Sequence, residues 1–251
     1  MQKFKRYKAI CSYDGSSFIG WQRQKEGVSV QSEIERVLTI MHKKMTKIVG
    51  SGRTDRGVSA LGQVFHFDSD LNIEPEIFRK AINRQIDDAI HLSSLEVVND
   101  SFHARIDAIV KVYRYRIGLG EPNPFNRHQV YYCDYEFDMA RLKEAASYFV
   151  GTHDFSSFNA NSFKETPDQV RTIYKIDIDR VDNEIHLTFV GSGFLRYMIR
   201  MMVGTLIEIS TKRLDPTVVK TWLEARDKCL ISFMAKAHGL TLVEVGYEKE
   251  K

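Results

Sequence analysis

The chain has 251 residues, of which 43% are hydrophobic and 27% charged, enough apolar side chains for one large core or two smaller ones. Lys and Arg number 36 against 33 Asp and Glu, so the net charge of +3 permits a polyanionic partner without demanding one. Cys11, Cys133 and Cys229 lie far apart without CxxC spacing, which argues against a disulfide framework or a zinc site. The start MQKFKRYKAICSYDG lacks the apolar run of a signal peptide and no stretch reaches membrane-spanning length, so the protein is read as cytoplasmic.

Arg6 to Tyr13 has strand composition and ends at the Asp14 Gly15 turn signal. In the loop SSFIGWQRQ, Trp21 is either a packing anchor or a platform for stacking a base. Ile34, Val37, Leu38, Met41 and Met45 recur at helical spacing behind Ser29, a natural N-cap, and predict a helix over 30–45. Its basic end, His42, Lys43, Lys44 and Lys47, reads as solvated. A short strand at Ile48 and Val49 leads into GSGRTDRGVSALGQVFHFD, where Gly50, Gly52 and Gly57 bracket Arg53, Thr54 and Asp55. Glycines that dense mark a tight turn or a close backbone approach, and the strand Gln63 to Asp68 behind them gives the loop a rigid base. Asp55 is the one carboxylate in that loop; Arg53 suits a phosphate-bearing partner, although no GxxxxGK[ST] spacing is present. Pro75 opens a second amphipathic helix with Ile77, Phe78, Ala81, Ile82 and Ile86 inward, followed by a strand near Leu92 to Val98. Strand, helix, strand, strand, helix, strand is the ferredoxin-like order.

FHARIDAIVKVYRYRIG, 102–118, reads as one long extended segment with Val110, Val112, Arg114 and Arg116 on one face and Lys111, Tyr113, Tyr115 and Ile117 on the other. Aromatics interleaved with Arg and Lys suit base stacking and phosphate binding, or else a half-buried strand with snorkelling cations. Asp138 can cap a helix with Met139, Leu142, Ala146, Phe149 and Val150 inward, ending at Gly151. His153 and Asp154 are adjacent, and neighbours in sequence seldom point at one another, so their role is structural. A hairpin over 170–190 turns at Asp182 Asn183. Phe194 to Ile209 is apolar on nearly every side, a buried helix on which Arg196, Arg200 and Gly204 share one stripe. A guanidinium in such surroundings requires a carboxylate or a phosphate. Asp215 and Pro216 start a last helix, and GLTLVEVGY closes the second half as a strand.

GRTDRGVSALGQV resembles the signature GRTDxGVxAxxQV of the tRNA pseudouridine synthase A family, with Arg56 and Ser59 departing from its commoner form GRTDAGVHA. Tyr13, Asp14, Gly15, Ser16, Phe18, Gly20, Trp21, Gln22 and Gln24 resemble YDGTxFxGWQxQ, with Ser16 at the threonine position. FHARIDAIVKVYRY matches FHARxxAxxxxYxY, GTHDFSSF matches GxHDFxxF, and GSGFLRYMIRMMVGTL matches GxGFLRxMVRxxVGTL. MAKAHGLTL is similar to TAPAxGLxL with Lys236 in place of the proline. The resemblance implies an α+β chain of two ferredoxin-like, RRM-like halves with antiparallel sheets joined around a central cleft, 1–108 carrying the catalytic loop and 109–251 completing the site. It implies Asp55, Tyr113 and Arg200 as catalytic residues, with Arg200 meeting Asp55. Arg53, Arg105, Arg196 and Trp21 are expected to contact RNA. A homodimer acting on tRNA uridines of the anticodon stem-loop, around positions 38 to 40, follows from the same likeness.

Isomerising uridine to pseudouridine needs a carboxylate at the sugar and a freed base kept in place, and it is redox-neutral. Asp55 would attack C1′ or take the 2′ proton, and the residues do not choose between these routes. Tyr113 would stack on the extruded base and Arg53 would steer the backbone or fill its gap. No metal or organic cofactor is implied, since the eight histidines show no HExxH spacing. The alternatives are a paralogous synthase acting on another RNA such as ribosomal RNA, and a noncatalytic RNA-binding module.

Overall fold

Tyr7, Ala9, Cys11 and Tyr13 are buried and alternate with half-exposed neighbours, the period of two that makes Lys5–Tyr13 a strand, β1. The computed structural model describes residues 4–164 and 166–247. The chain divides into two units, one running to Ile109 and resuming at Thr241, the other Val110–Leu240.

In the first unit Ser29 caps helix α1, Val30–His42, through a capping box in which Ser29 Oγ accepts from Ser32 N and Ser32 Oγ accepts from Ser29 N. The left-handed Lys43 ends α1 at φ 54°, three residues earlier than the periodicity implies. Met45 therefore falls outside the helix and is 70% exposed, whereas Ile34, Val37 and Leu38 are fully buried. A short strand, β2 (Val49–Gly50), pairs with β3 (Ser59–Ser69), which runs antiparallel to β1. Helix α2, Pro75–Asn83, is capped by the Glu74 side chain on Ile77 N at 3.0 Å. It turns Phe78 and Ile82 inward; Ile77, expected on that face, is 62% exposed, because the buried stripe runs through Phe78 and Ile82, four residues apart, with Phe78 packed on Tyr7 and Phe67. β4, Ile90–Val98, pairs antiparallel with β1, so the strands stand in the order β4, β1, β3 with β2 outside β3. Tyr7, Phe67 and Phe78 form the aromatic centre of this core, with Tyr7 and Phe67 stacked at 5.5 Å and Phe78 edge-on to both.

Phe102 to Asp107 is a turn and not the start of a long strand: Asp107 N donates to His103 O at 3.1 Å and His103 N to the Asp107 carboxylate at 2.7 Å. Buried His66 on β3 accepts from Ala104 N through Nδ1 at 3.1 Å, which requires that nitrogen unprotonated. Burial first, then the charges of Arg6 and of His103, drive the His66 pKa down to about 4, against the opposing pull of Asp68 and Asp107. The unfolded chain thus takes up a proton near pH 6.5 that the folded chain resists until about pH 4. Stability contributed by neutral His66 is complete above that window and is lost as pH falls through it. Denaturant midpoints measured from pH 7.5 to pH 4.5 should fall in the parent and fall less in His66→Gln.

In the second unit β5 (Ala108–Leu119) carries β6 (Tyr131–Cys133) parallel on one side. Helix α3, Met139–Ser147, starts at Asp138, whose carboxylate accepts from Ala140 N and Arg141 N. It buries Leu142 and Ala146, but the chain leaves it early enough that Val150 is exposed. β7 (Gly151–Asp154), β8 (Val170–Val181) and β9 (Glu184–Gly191) complete an antiparallel sheet in the order β5, β9, β8, β7. Asp182, at φ 52°, makes the expected hairpin turn. Helices α4 (Met198–Ser210) and α5 (Val218–Ala225) follow. α4 starts two residues beyond Arg196, so only Arg200 and Gly204 share its stripe. Gly204 is there for close packing: a Cβ would stand 2.9 Å from the carbonyl carbon of Phe233.

The last strand, β10 (Leu240–Tyr247), pairs parallel with β3 through Thr241 with Ser59 and Leu242 with Ala60. Read from sequence as closing the second half, it clusters from Thr241 on with the first unit. An alternating strand records which face is buried but not which sheet edge it joins. Gly62 admits this neighbour, since a Cβ there would meet Val243 O at 2.6 Å. Among the described residues no helix is long and apolar enough to cross a membrane.

Candidate active site

In the first unit the Gly50–Val58 loop is held from below by buried polar groups. Ser51 Oγ donates to Gln63 Oε1 at 2.7 Å, and Gln63 Nε2 donates to Gly52 O at 3.2 Å. Thr54, also buried, shares a 2.8 Å hydrogen bond with the hydroxyl of Tyr13, and its carbonyl accepts from Trp21 N at 3.1 Å. Val58 N donates to Asp55 O at 3.1 Å, closing a four-residue turn whose third position, Gly57, has φ +81°, the region a type II turn demands. Asp55 is left half-buried at the turn's first position, between the exposed Arg53 and Arg56. Gly20, at φ +112°, packs against this backbone so closely that a Cβ would reach Thr54 O at 2.9 Å. Ser59, at one departure from the family pattern, is buried and accepts from Gly15 N at 3.0 Å, so it is absorbed as a structural bond.

Trp21 is 1% exposed, tilted against Tyr13 and Phe65, with its indole where a Cβ on Gly50 would stand. A ring without an exposed face cannot stack on a base, so the RNA-contact reading of Trp21 gives way to the packing one. Arg105 is exposed on the Phe102–Asp107 turn, fastened at Ala104 by His66 and by Tyr247, whose hydroxyl donates to Ala104 O at 2.6 Å.

In the second unit the β5 aromatics face inward. Tyr113 is 8% exposed and edge-on to Phe194 at 5.3 Å; Tyr115 is fully buried and donates its hydroxyl to Lys236 O at 2.9 Å. The arginines take the other face, where Arg116 forms a two-pronged pair with Glu184 at 2.8 Å on each arm. On β5 the two arginines thus lie opposite the two buried tyrosines, with Lys111 the one cation on the tyrosine face. Arg200 is half-buried; its Nε donates to Ala235 O at 2.8 Å and its carbonyl accepts from Ala235 N at 2.9 Å. Arg196 is exposed, its backbone pinned by Asn161 Oδ1 at 2.7 Å and by Ala160 N at 3.0 Å. His153 and Asp154 take structural roles: His153 Nε2 binds Val150 O at 3.1 Å, and Asp154 Oδ1 accepts from Ser156 N at 2.9 Å.

Lys236 stands at φ −61°, ψ 145°, the dihedrals that proline imposes. The loop therefore keeps a proline-compatible path despite the substitution. Lys236→Pro should stabilise the protein by about 0.4–1 kcal/mol by restricting the unfolded chain, read as a rise in denaturant midpoint with an unchanged slope.

The described residues contain no group of three His, Cys, Asp or Glu side chains placed to hold a metal ion. The mixed α/β chain thus carries a half-buried carboxylate on a glycine-bracketed turn in its first unit, and a buried tyrosine and a half-buried arginine in its second. The chain belongs to the tRNA pseudouridine synthase family, whose sequence pattern it matches over residues 9–107 and 145–248. It is 43% identical over 245 residues to a protein from Exiguobacterium sp. (strain AT1b) named tRNA pseudouridine synthase A, covering 98% of this chain and 99% of that one. Proteins of the same name from Bacillus subtilis (strain 168) and Listeria monocytogenes serotype 4b are 41% and 44% identical, each covering 97% of this chain and 99% of the relative. A structural likeness to a chain described as "Crystal Structure of a Cbf5-Nop10-Gar1 Complex", with a TM-score of 0.40 and 10% identity over 96% of this chain and 50% of that one, is too slight to bear on function.

Proposed function

We propose that this protein is a tRNA pseudouridine synthase, an isomerase that converts uridine to pseudouridine in the anticodon stem-loop, with Asp55 as its acting carboxylate. The observation that carries the reading is full-length kinship at above 40% identity to proteins of that name. The loop around Asp55 supports it: Gln63, Tyr13, Trp21 and Gly20 all serve to fix a turn whose first residue is that carboxylate.

In this reading the uridine leaves its stack and Asp55 acts at the sugar, either bonding to C1′ as the N1 glycosidic bond breaks or removing the 2′ proton in a glycal route. The freed uracil turns and C5 bonds to C1′ as the Asp55–C1′ bond breaks or, in the glycal route, as the 2′ proton returns to C2′; the C5 proton departs and N1 takes up a proton. Tyr113 holds the base and Arg200 supplies the positive charge that keeps a carboxylate ionised. Arg53, Arg105 and Arg196, all exposed, bind phosphates and give tRNA affinity its salt dependence. Each unit is read as ferredoxin-like, a reading supported in the first by the order β4, β1, β3 with β2 outermost. The working form is read as a homodimer in the cytoplasm.

The test is conversion of uridines in a tRNA transcript by purified protein, with ribosomal RNA as the competing substrate and pseudouridine mapped by position. Conversion in tRNA near the anticodon supports the reading; conversion confined to ribosomal RNA, or none in either, defeats it. In the same assay Arg105→Ala should raise the tRNA Kd about 3- to 10-fold, equivalent to roughly one phosphate contact, and flatten the salt dependence.

A further inference from the structure

Among the described residues, five other than glycine adopt positive φ: Lys43, Asp182, Tyr197, Lys212 and Arg226. Lys43 and Arg226 end helices, Asp182 sits in a hairpin turn and Lys212 follows the last turn of α4, all places where the left-handed region is ordinary. Tyr197 is different. It is a bulky aromatic at φ 63°, ψ 0°, at the entrance of a helix, and it makes no side-chain cap to that helix. Such a conformation is strained and persists where the surroundings enforce it.

What the conformation accomplishes is visible in the side chain. The guanidinium carbons of Arg196 and Arg200 both lie over the Tyr197 ring, 4.7 and 5.3 Å from its centroid, and Arg196 Nη2 donates to the Tyr197 hydroxyl at 2.9 Å. The backbone on either side is tied down, at Arg196 by Asn161 and Ala160 and at Arg200 by Ala235. Arg200 Nε is committed to Ala235 O, so the ring supplies a flat stop against which the guanidinium plane can settle.

We infer that Tyr197 is a positioning residue for Arg200: its strained backbone turns the ring beneath the guanidinium and fixes the orientation in which that arginine acts. This rests on the proposed part of Arg200 in the reaction. Tyr197 touches neither base nor sugar in this account and works through the arginine alone.

Glycine is the natural tenant of a left-handed position, so Tyr197→Gly relieves strain while removing the ring. A residue kept only for structure would be replaced there without cost to turnover. Positioning predicts that Tyr197→Gly melts no lower than the parent yet loses about 10- to 100-fold in kcat on tRNA, the cost of a small misplacement of an active group. Tyr197→Phe, which keeps the ring and loses only the bond to Arg196, should keep kcat within about twofold and show its defect in KM. Tyr197→Asn, also at home at positive φ, provides a second ringless variant with the same expected kcat loss. In an Arg200→Ala background, removing the ring should change kcat no further. Ringless variants with parental kcat would overturn the inference even if Arg200→Ala is inactive; an Arg200→Ala protein with parental kcat would overturn both it and the role of the arginine.

Discussion

Asp55→Asn should leave a folded, tRNA-binding protein that forms pseudouridine at least about 10³-fold more slowly, a barrier increase of roughly 4 kcal/mol. Asparagine is chosen because it is as acceptable as aspartate at the first position of a turn, so the Asp55–Val58 bond and the Gly57 conformation should survive. The change removes the charge and replaces one carboxylate oxygen with an amide nitrogen of nearly the same size. Single-turnover conversion of tRNA measures the rate; filter binding, expected to stay within about threefold of the parent, measures affinity. A noncatalytic RNA-binding module predicts instead that parent and variant are alike. Activity within tenfold of the parent would remove Asp55 from the reaction, whatever the family likeness.

Trp21→Ala should cost about 3–5 kcal/mol, the range for truncating a large buried aromatic. The indole fills the space left by the absent Cβ of Gly50, meets Tyr13 and Phe65, and its own backbone N–H holds Thr54 O. For a chain of this size that is a fall in melting temperature of about 6–20 °C. Because the cavity opens under the Asp55 loop, kcat should also fall at temperatures where the variant remains folded. A base-stacking tryptophan would give the opposite pattern, with weaker tRNA binding and an unchanged melting temperature. Thermal melts and tRNA titrations on the same preparation separate the two.

Much of the local structure was legible because it depends on near neighbours. Ser29 and Asp138 cap their helices as their side chains suggest, and the Asp182 turn closes its hairpin. Three glycines around Asp55 mark a turn that does form, with Gly57 at the positive φ that favours glycine. The misreadings lie where competing contacts decide: Met45 and Ile77 fit a helical stripe, but a left-handed residue ends α1 before Met45, and α2 packs through Phe78 and Ile82 instead of Ile77. Tyr197 could not have been singled out, because nothing in the order of residues reveals a left-handed tyrosine.

Composition, periodicity and the GRTDRGVSALGQV motif determined, by themselves, the strand and helix order of the first unit and the family to which the chain belongs, since each depends on residue type and short-range spacing. Only the tertiary structure decided that the last strand lies along β3, that Trp21 is core, that the tyrosine face of β5 is the buried one, and that one aromatic ring gathers Arg196 and Arg200. The reason is physical: local spacing sets which face of an element is apolar, while sheet partners and cavity shape, supplied by residues far away in sequence, choose what that face meets.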